Sequence, residues 1–101
     1  MEMLIVVFRE ALQAEILTLL QECDVKAFTL IQNVVGAGET GLALGSFDAP
    51  GLNSMLFIVL PKAHAERSIE VLRTFSEALK KDHPAHRAPI HAFVLPCNQV
   101  V

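Results

Sequence analysis

Residues 3–8 read Met-Leu-Ile-Val-Val-Phe, an unbroken apolar run with β-branched members, closed by Arg9-Glu10. So short a run is a strand, and its lack of alternation predicts a central one, covered on both faces. The period then changes. Leu12, Ile16, Leu19, Leu20 and Cys23 recur at helical spacing, which predicts an amphipathic helix over residues 10–23, with Gln13, Glu15, Gln21 and Glu22 on the wet side. Asp24 breaks the stripe and permits a turn. Residues 25–35 form a second strand, on the β-branched and aromatic character of Phe28, Thr29, Ile31, Val34 and Val35. A third strand covers residues 54–60 and closes at Pro61. The spacing of Ala65, Ile69, Leu72, Phe75 and Leu79 predicts a helix over residues 63–81, with Glu66, Arg67, Glu70, Arg73, Glu77 and Lys80 solvated and Glu70–Arg73 as the helpful charge pair. Asp82-His83-Pro84 ends it, since a residue before proline avoids the α conformation. Residues 90–95 form the last strand, stopped by Pro96.

The order is therefore β-α-β-β-α-β. Two helices, each set between strands, predict an α+β ferredoxin-like sandwich: a four-stranded antiparallel sheet with both helices on one face. The opposite face is left bare. All five glycines, Gly36, Gly38, Gly41, Gly45 and Gly51, fall with Pro50 inside residues 36–53. A loop of that length in so small a domain is usually functional.

Composition sharpens the picture of the bare face. A chain of 101 residues makes one domain, residues 1–101, yet 52% of it is hydrophobic and its mean hydropathy is +0.45. The longest apolar runs, residues 3–8 and 55–60, fall far short of the roughly 20 needed to span a bilayer. The excess is better explained by self-association, with the bare sheet face packed on sister chains. A net charge of −3, no basic patch and no Tyr or Trp for stacking disfavour nucleic-acid binding. The N-terminus lacks a basic segment and cleavage site of the secretory kind, and Cys23 and Cys97 lack CxxC spacing, so a cytoplasmic protein with reduced thiols is expected.

Three patterns invite chemistry. Gly36-Ala37-Gly38-Glu39-Thr40-Gly41 is a literal GxGxxG after a strand, but a dinucleotide cradle needs a helix next, and Gly45, Pro50 and Gly51 deny one. A glycine hinge remains, with backbone N–H groups able to form an anion nest. His83, His86 and His91 crowd into nine residues and offer imidazoles for zinc or copper, weighed against a solvated proline-rich loop. Alternation puts His91 and Phe93 on one face of the last strand. No Ser, Cys and His cluster suggests nucleophilic catalysis: Cys23 lies on a buried stripe as a small hydrophobe, and Cys97 on an exposed tail.

The stretch Gly36-x-Gly38-x-Thr40-Gly41-x-x-x-Gly45-Ser46, then Pro50-Gly51-x-Asn53 and Met55-Leu56-Phe57, resembles the P-II-like proteins, relatives of the nitrogen regulatory protein P-II. Val59-Leu60-Pro61 leading into the second helix is similar too, and the element order matches over nearly the whole chain. The resemblance implies a homotrimer with its sheets facing the centre, small effectors in clefts between subunits, and a long loop that contacts a target protein such as a transporter or enzyme. It implies an effector site at Gly36, Gly38, Thr40, Lys62, Arg87 and His91, and target contacts at Glu39, Ser46, Asp48 and Asn53. There are departures. With no Tyr in the chain, uridylylation of a loop tyrosine is impossible. The family's glycine-rich phosphate loop is replaced by His83-Pro84-Ala85-His86-Arg87-Ala88-Pro89, and the lysine beside it aligns with His91. Leu79-Lys80-Lys81-x-His83-Pro84 and Phe93-Val94-Leu95-Pro96 also resemble CutA, the trimeric divalent-cation tolerance protein, which supplies the metal-binding alternative.

The expected function is thus a trimeric signalling protein, not an enzyme, that binds a small effector whose identity the sequence leaves open. A small enzyme of the dimeric α+β barrel type would instead need a polar pocket between sheet and helices.

Overall fold

The computed structural model describes residues 1–38, 41–42, 52–82 and 90–101. Strand β1 (Glu2–Arg9) leads through a 3-10 turn (Glu10–Leu12) into helix α1 (Gln13–Glu22). Strand β2 (Thr29–Val34) follows, then the two-residue strands β3 (Ala37–Gly38) and β4 (Gly41–Leu42), strand β5 (Asn53–Leu60), helix α2 (Lys62–Asp82) and strand β6 (Ile90–Pro96). The main sheet is antiparallel with the order β2-β5-β1-β6, and both helices pack on one side of it. This is the expected ferredoxin-like α+β arrangement.

The core lies between sheet and helices. Leu4, Val6 and Phe8 of β1 and Leu56, Ile58 and Leu60 of β5 point into it, met by Ile16 and Leu20 of α1 and by Ala65 and Leu72 of α2. Leu12, Leu17, Cys23, Ile69, Phe75 and Leu79 seal its margin half-buried. The helical stripes follow the sequence pattern with three exceptions. Leu19, on the predicted line, borders an open depression instead of joining the core, Leu17 packs on the core although it lies off that line, and Ser68 is fully buried inside α2. Its hydroxyl donates to the His64 carbonyl one turn back (3.0 Å), so a polar group is buried without an orphan. The expected Glu70–Arg73 pair forms on the solvent side, joined by Glu77–Lys80. Lys80 and Lys81 sit in the last turn of α2, where cations complement the helix dipole.

Asp24 does more than interrupt a stripe. It takes a left-handed backbone (φ 62°), its N–H donates to the Gln21 carbonyl, and the Val25 N–H reaches back to Leu20. This pair of bonds is a Schellman motif, in which Val25 and Leu20 are both buried. The motif uses residues 25–28 for the crossing from helix to sheet, so β2 begins at Thr29 rather than at 25.

A second left-handed residue, Asn33 (φ 60°), marks a β-bulge. Ile31 pairs with Met55 but Val34 pairs with Asn53, so β2 carries one residue more than its partner across that interval. The bulge restores side-chain direction for the far end of the strand.

The prediction that β1 is covered on both faces is corrected for the protomer. Leu4, Val6 and Phe8 are closed off by the helices, whereas Met3, Ile5 and Val7 are only half-buried, because no described residue packs on that side.

Candidate functional site

The helix-free face of the sheet is built in rows, since residues paired across antiparallel strands share a face. One row runs Leu95, Met3, Val59; the next Phe93, Ile5, Phe57, Thr29; the next His91, Val7, Met55, Ile31. Nine of these eleven side chains are apolar, and Phe93 is 57% exposed in the single protomer. The final row holds Arg9, Asn53 and Val34, at the end where residues 36–52 leave and return. Beyond Ile90, no described residue buries β6 on either side. Val94 points toward the helix layer yet stays 45% exposed, because α2 covers this strand only near Ile90.

The predicted effector residues fall in different places. Gly36 sits exposed just beyond β2, and a Cβ there would meet nothing within 4 Å, so packing does not demand the glycine. His91 shares that end of the sheet and faces the bare side, as alternation anticipated. Lys62 is exposed at the first residue of α2, at the opposite end. The five steps of β5 from Met55 to Leu60 put about 17 Å between the two ends. A single protomer does not bring Lys62 to Gly36 and His91. Gly38 lies in β3, whose pairing with β4 sets Ala37 opposite Leu42 and Gly38 opposite Gly41. That small ribbon went unforeseen, and it disposes of the dinucleotide cradle, because Gly41–Leu42 is strand where a helix is needed.

Asn53 was expected in the target-contact loop and is instead the first residue of β5, paired with Arg9 and Val34. The strand starts one residue early because β1 extends to Arg9 and gives Asn53 a partner. Glu39, Thr40, Ser46, Asp48, His83, His86 and Arg87 lie outside the described residues. Among those described, no group of three or more His, Cys, Asp or Glu side chains is placed to hold a metal ion.

Sequence reasoning missed the polar junction at the loop base. Gln13, assigned to the wet side of α1, turns its side-chain carbonyl toward the sheet. It accepts from the Gln32 amide (3.0 Å) and from the buried Ser54 hydroxyl (3.3 Å). Beside it the Glu10 N–H donates to the Leu52 carbonyl (2.8 Å). At the other end of α1 the His64 Nε2–H donates to the Cys23 carbonyl (2.5 Å), tying the two helices together. Burial raises the Cys23 thiol above its ordinary pKa, and Glu22 and Asp24 add to the rise against the lowering effect of Arg67. Cys97, expected on an exposed tail, is half-buried, because its N–H donates to the Met1 carbonyl and extends the β6–β1 ladder.

The space between sheet and helices is filled by the core. The open depressions lie on the outer side of the helix layer, around Leu19 and Phe75. Among the described residues no helix is long and apolar enough to cross a membrane.

Against known families, the model for the nitrogen regulatory protein P-II matches residues 1–101. The chain belongs to the P-II family. Solved structures of the same fold include CPII, a nitrogen regulatory PII-like protein from Thiomonas intermedia K12 bound to ADP, AMP and bicarbonate. It is 21% identical with a TM-score of 0.68, over 93% of this chain and 84% of that one. The apo form of CPII superposes with a TM-score of 0.66 at 19% identity, over 93% and 85% of the two chains. A PII-like signalling protein from Thermus thermophilus gives 0.58 at 19% identity, over 93% and 83%. No curated protein matches. As a P-II member the chain is a signalling-family protein, and no finding favours the CutA-like alternative.

Proposed function

We propose that this P-II member works as a cytoplasmic homotrimer that binds a small effector between subunits and reports it to a target protein, without catalysing a reaction. The observation that carries the reading is the helix-free face. Nine apolar side chains in three registered rows need cover that the described residues of the protomer do not supply, and sister chains are the simplest source of it. Turning the sheets inward also resolves the separation of the effector residues. Lys62, at one end of its own sheet, meets Gly36 and His91 of a neighbour across a subunit boundary, and Gly38, Thr40 and Arg87 are assigned to the same effector site. Adenine nucleotide together with bicarbonate is the effector class we infer, because CPII, which shares the fold, holds ADP, AMP and bicarbonate. Residues 36–52, with Glu39, Ser46 and Asp48, present the target-contact surface, and Asn53 braces its exit from within β5.

Sedimentation equilibrium at micromolar protein and a thermal-shift screen with ADP, AMP, bicarbonate and divalent metals test the reading together. The expected results are a trimer and a higher midpoint with adenine nucleotide. A ligand at a hundred times its Kd adds about 2.7 kcal/mol. A monomer, or a midpoint that no nucleotide moves, overturns the proposal.

A further inference from the structure

The segment between β2 and β5 leaves the sheet and returns to it at neighbouring points, and one side-chain oxygen touches both stems. Gln13 Oε1 accepts from Gln32, four residues before Gly36 on the outgoing strand, and from Ser54, the second residue of the returning strand. Gln13 is the first residue of α1, and three positions earlier the Glu10 N–H holds Leu52 just before β5. The β1–α1 corner thus grips the segment at entry and exit, while Asn33 puts its bulge between the gripped Gln32 and the loop. An extra residue in a strand locally disrupts the ladder and bends the strand, so a side-chain bond next to it helps to fix where the strand points beyond it.

We propose that Gln13 is a positioning residue whose carbonyl staples the two stems of residues 36–52 together and pins the β2 bulge. It fixes the direction in which the segment leaves the sheet. The proposal rests on the reading above only in taking that segment as the contact surface. The staple itself needs neither trimer nor effector.

Three variants of the full chain test it. Gln13→Leu keeps the volume and removes the acceptor, Gln13→Glu keeps an acceptor oxygen at the same reach, and Gln32→Met removes one donor at an exposed site that folding does not depend on. Amide hydrogen exchange is followed without ligand over residues 29–34 and 52–56, with β1 as internal reference, alongside the unfolding midpoint. Gln13→Leu is expected to speed exchange about tenfold at both stems while β1 changes little, because losing a hydrogen bond or two raises local opening without touching the core. Gln13→Glu should restore protection at both, and Gln32→Met should loosen β2 alone. Equal acceleration in β1 and the stems, an effect at one stem only for Gln13→Leu, or failure of Gln13→Glu to rescue overturns the staple. Because no nucleotide is present, these results do not depend on whether the effector reading holds; the ADP thermal shift of the unaltered chain decides that separately.

Discussion

Phe93→Glu isolates the inward face from the rest of the fold. Phe93 leads the row that continues through Ile5 and Phe57, and in the protomer more than half of it faces solvent. A carboxylate there leaves the protomer's own core of Leu4, Val6, Leu56 and Ile58 intact, so its folding is nearly unchanged. In the proposed trimer the same position is covered. Losing the burial of the exposed part of a phenylalanine costs about 1.5 kcal/mol, and desolvating an unpaired carboxylate at least as much, so about 3 kcal/mol per copy is a conservative figure. Three copies make about 9 kcal/mol, or some six powers of ten in the trimer association constant at about 1.4 kcal/mol per decade. Sedimentation equilibrium should show a folded monomer at concentrations where the unaltered chain is trimeric, with far-ultraviolet circular dichroism confirming the fold. If Phe93→Glu sediments as the unaltered chain does, the apolar rows are not the interface and the argument from the bare face fails.

Other substitutions probe separate links. Leu56→Ala, at a site with no exposure, should destabilise by about 2–5 kcal/mol and lower the calorimetric midpoint by roughly 4–8 °C per kcal/mol. Asp24→Gly should raise the unfolding free energy by up to about 1 kcal/mol in denaturant titration, since the left-handed conformation that strains an aspartate is free to glycine; a loss of stability would show that the carboxylate has a role of its own. Iodoacetamide should alkylate Cys23 more slowly than an unstructured cysteine peptide at pH 8, because its folded-state pKa is raised. With that sign the folded form binds the thiol proton more tightly than the unfolded one. The contribution of Cys23 to stability is therefore present below the ordinary thiol pKa and is lost as pH rises through the raised value, which a Cys23→Ala variant followed by denaturant titration from pH 7 to 10 should remove.

Periodicity made most of the scaffold legible. The α1 stripe through Ile16 and Leu20 and the α2 stripe through Ala65 and Leu72 are strong signals because each residue reports the same face as its neighbours a turn away. The bare face was legible by subtraction, from too many apolar residues and too few helices. What escaped was set by partners distant in sequence. Ser54 and Gln32 meet Gln13 through side chains 41 and 19 residues apart, and a glutamine on a helix reads as solvent-facing until the sheet beneath it is known. The bulge at Asn33 left no pattern beyond a residue tolerant of left-handed backbone, and Asn53 changed from loop to strand because Arg9 was there to pair with it. The effector residues were legible as types but not as a cluster, since Lys62 and His91 belong to opposite ends of one protomer.

The pairing of Glu2 with Pro96 joins residues 94 positions apart, and β1 lies between β5 and β6 in the finished sheet. During synthesis, then, β1 is made before its partner strands and completed last. One of its edges stays unpaired until residues 90–96 have left the ribosome, and so long a closure slows the search for the native arrangement. A nascent chain that carries Met3–Phe8 without β6 displays a β-branched edge open to any passing strand, so a pause before residues 90–96 lengthens the time in which that edge is exposed to mispairing.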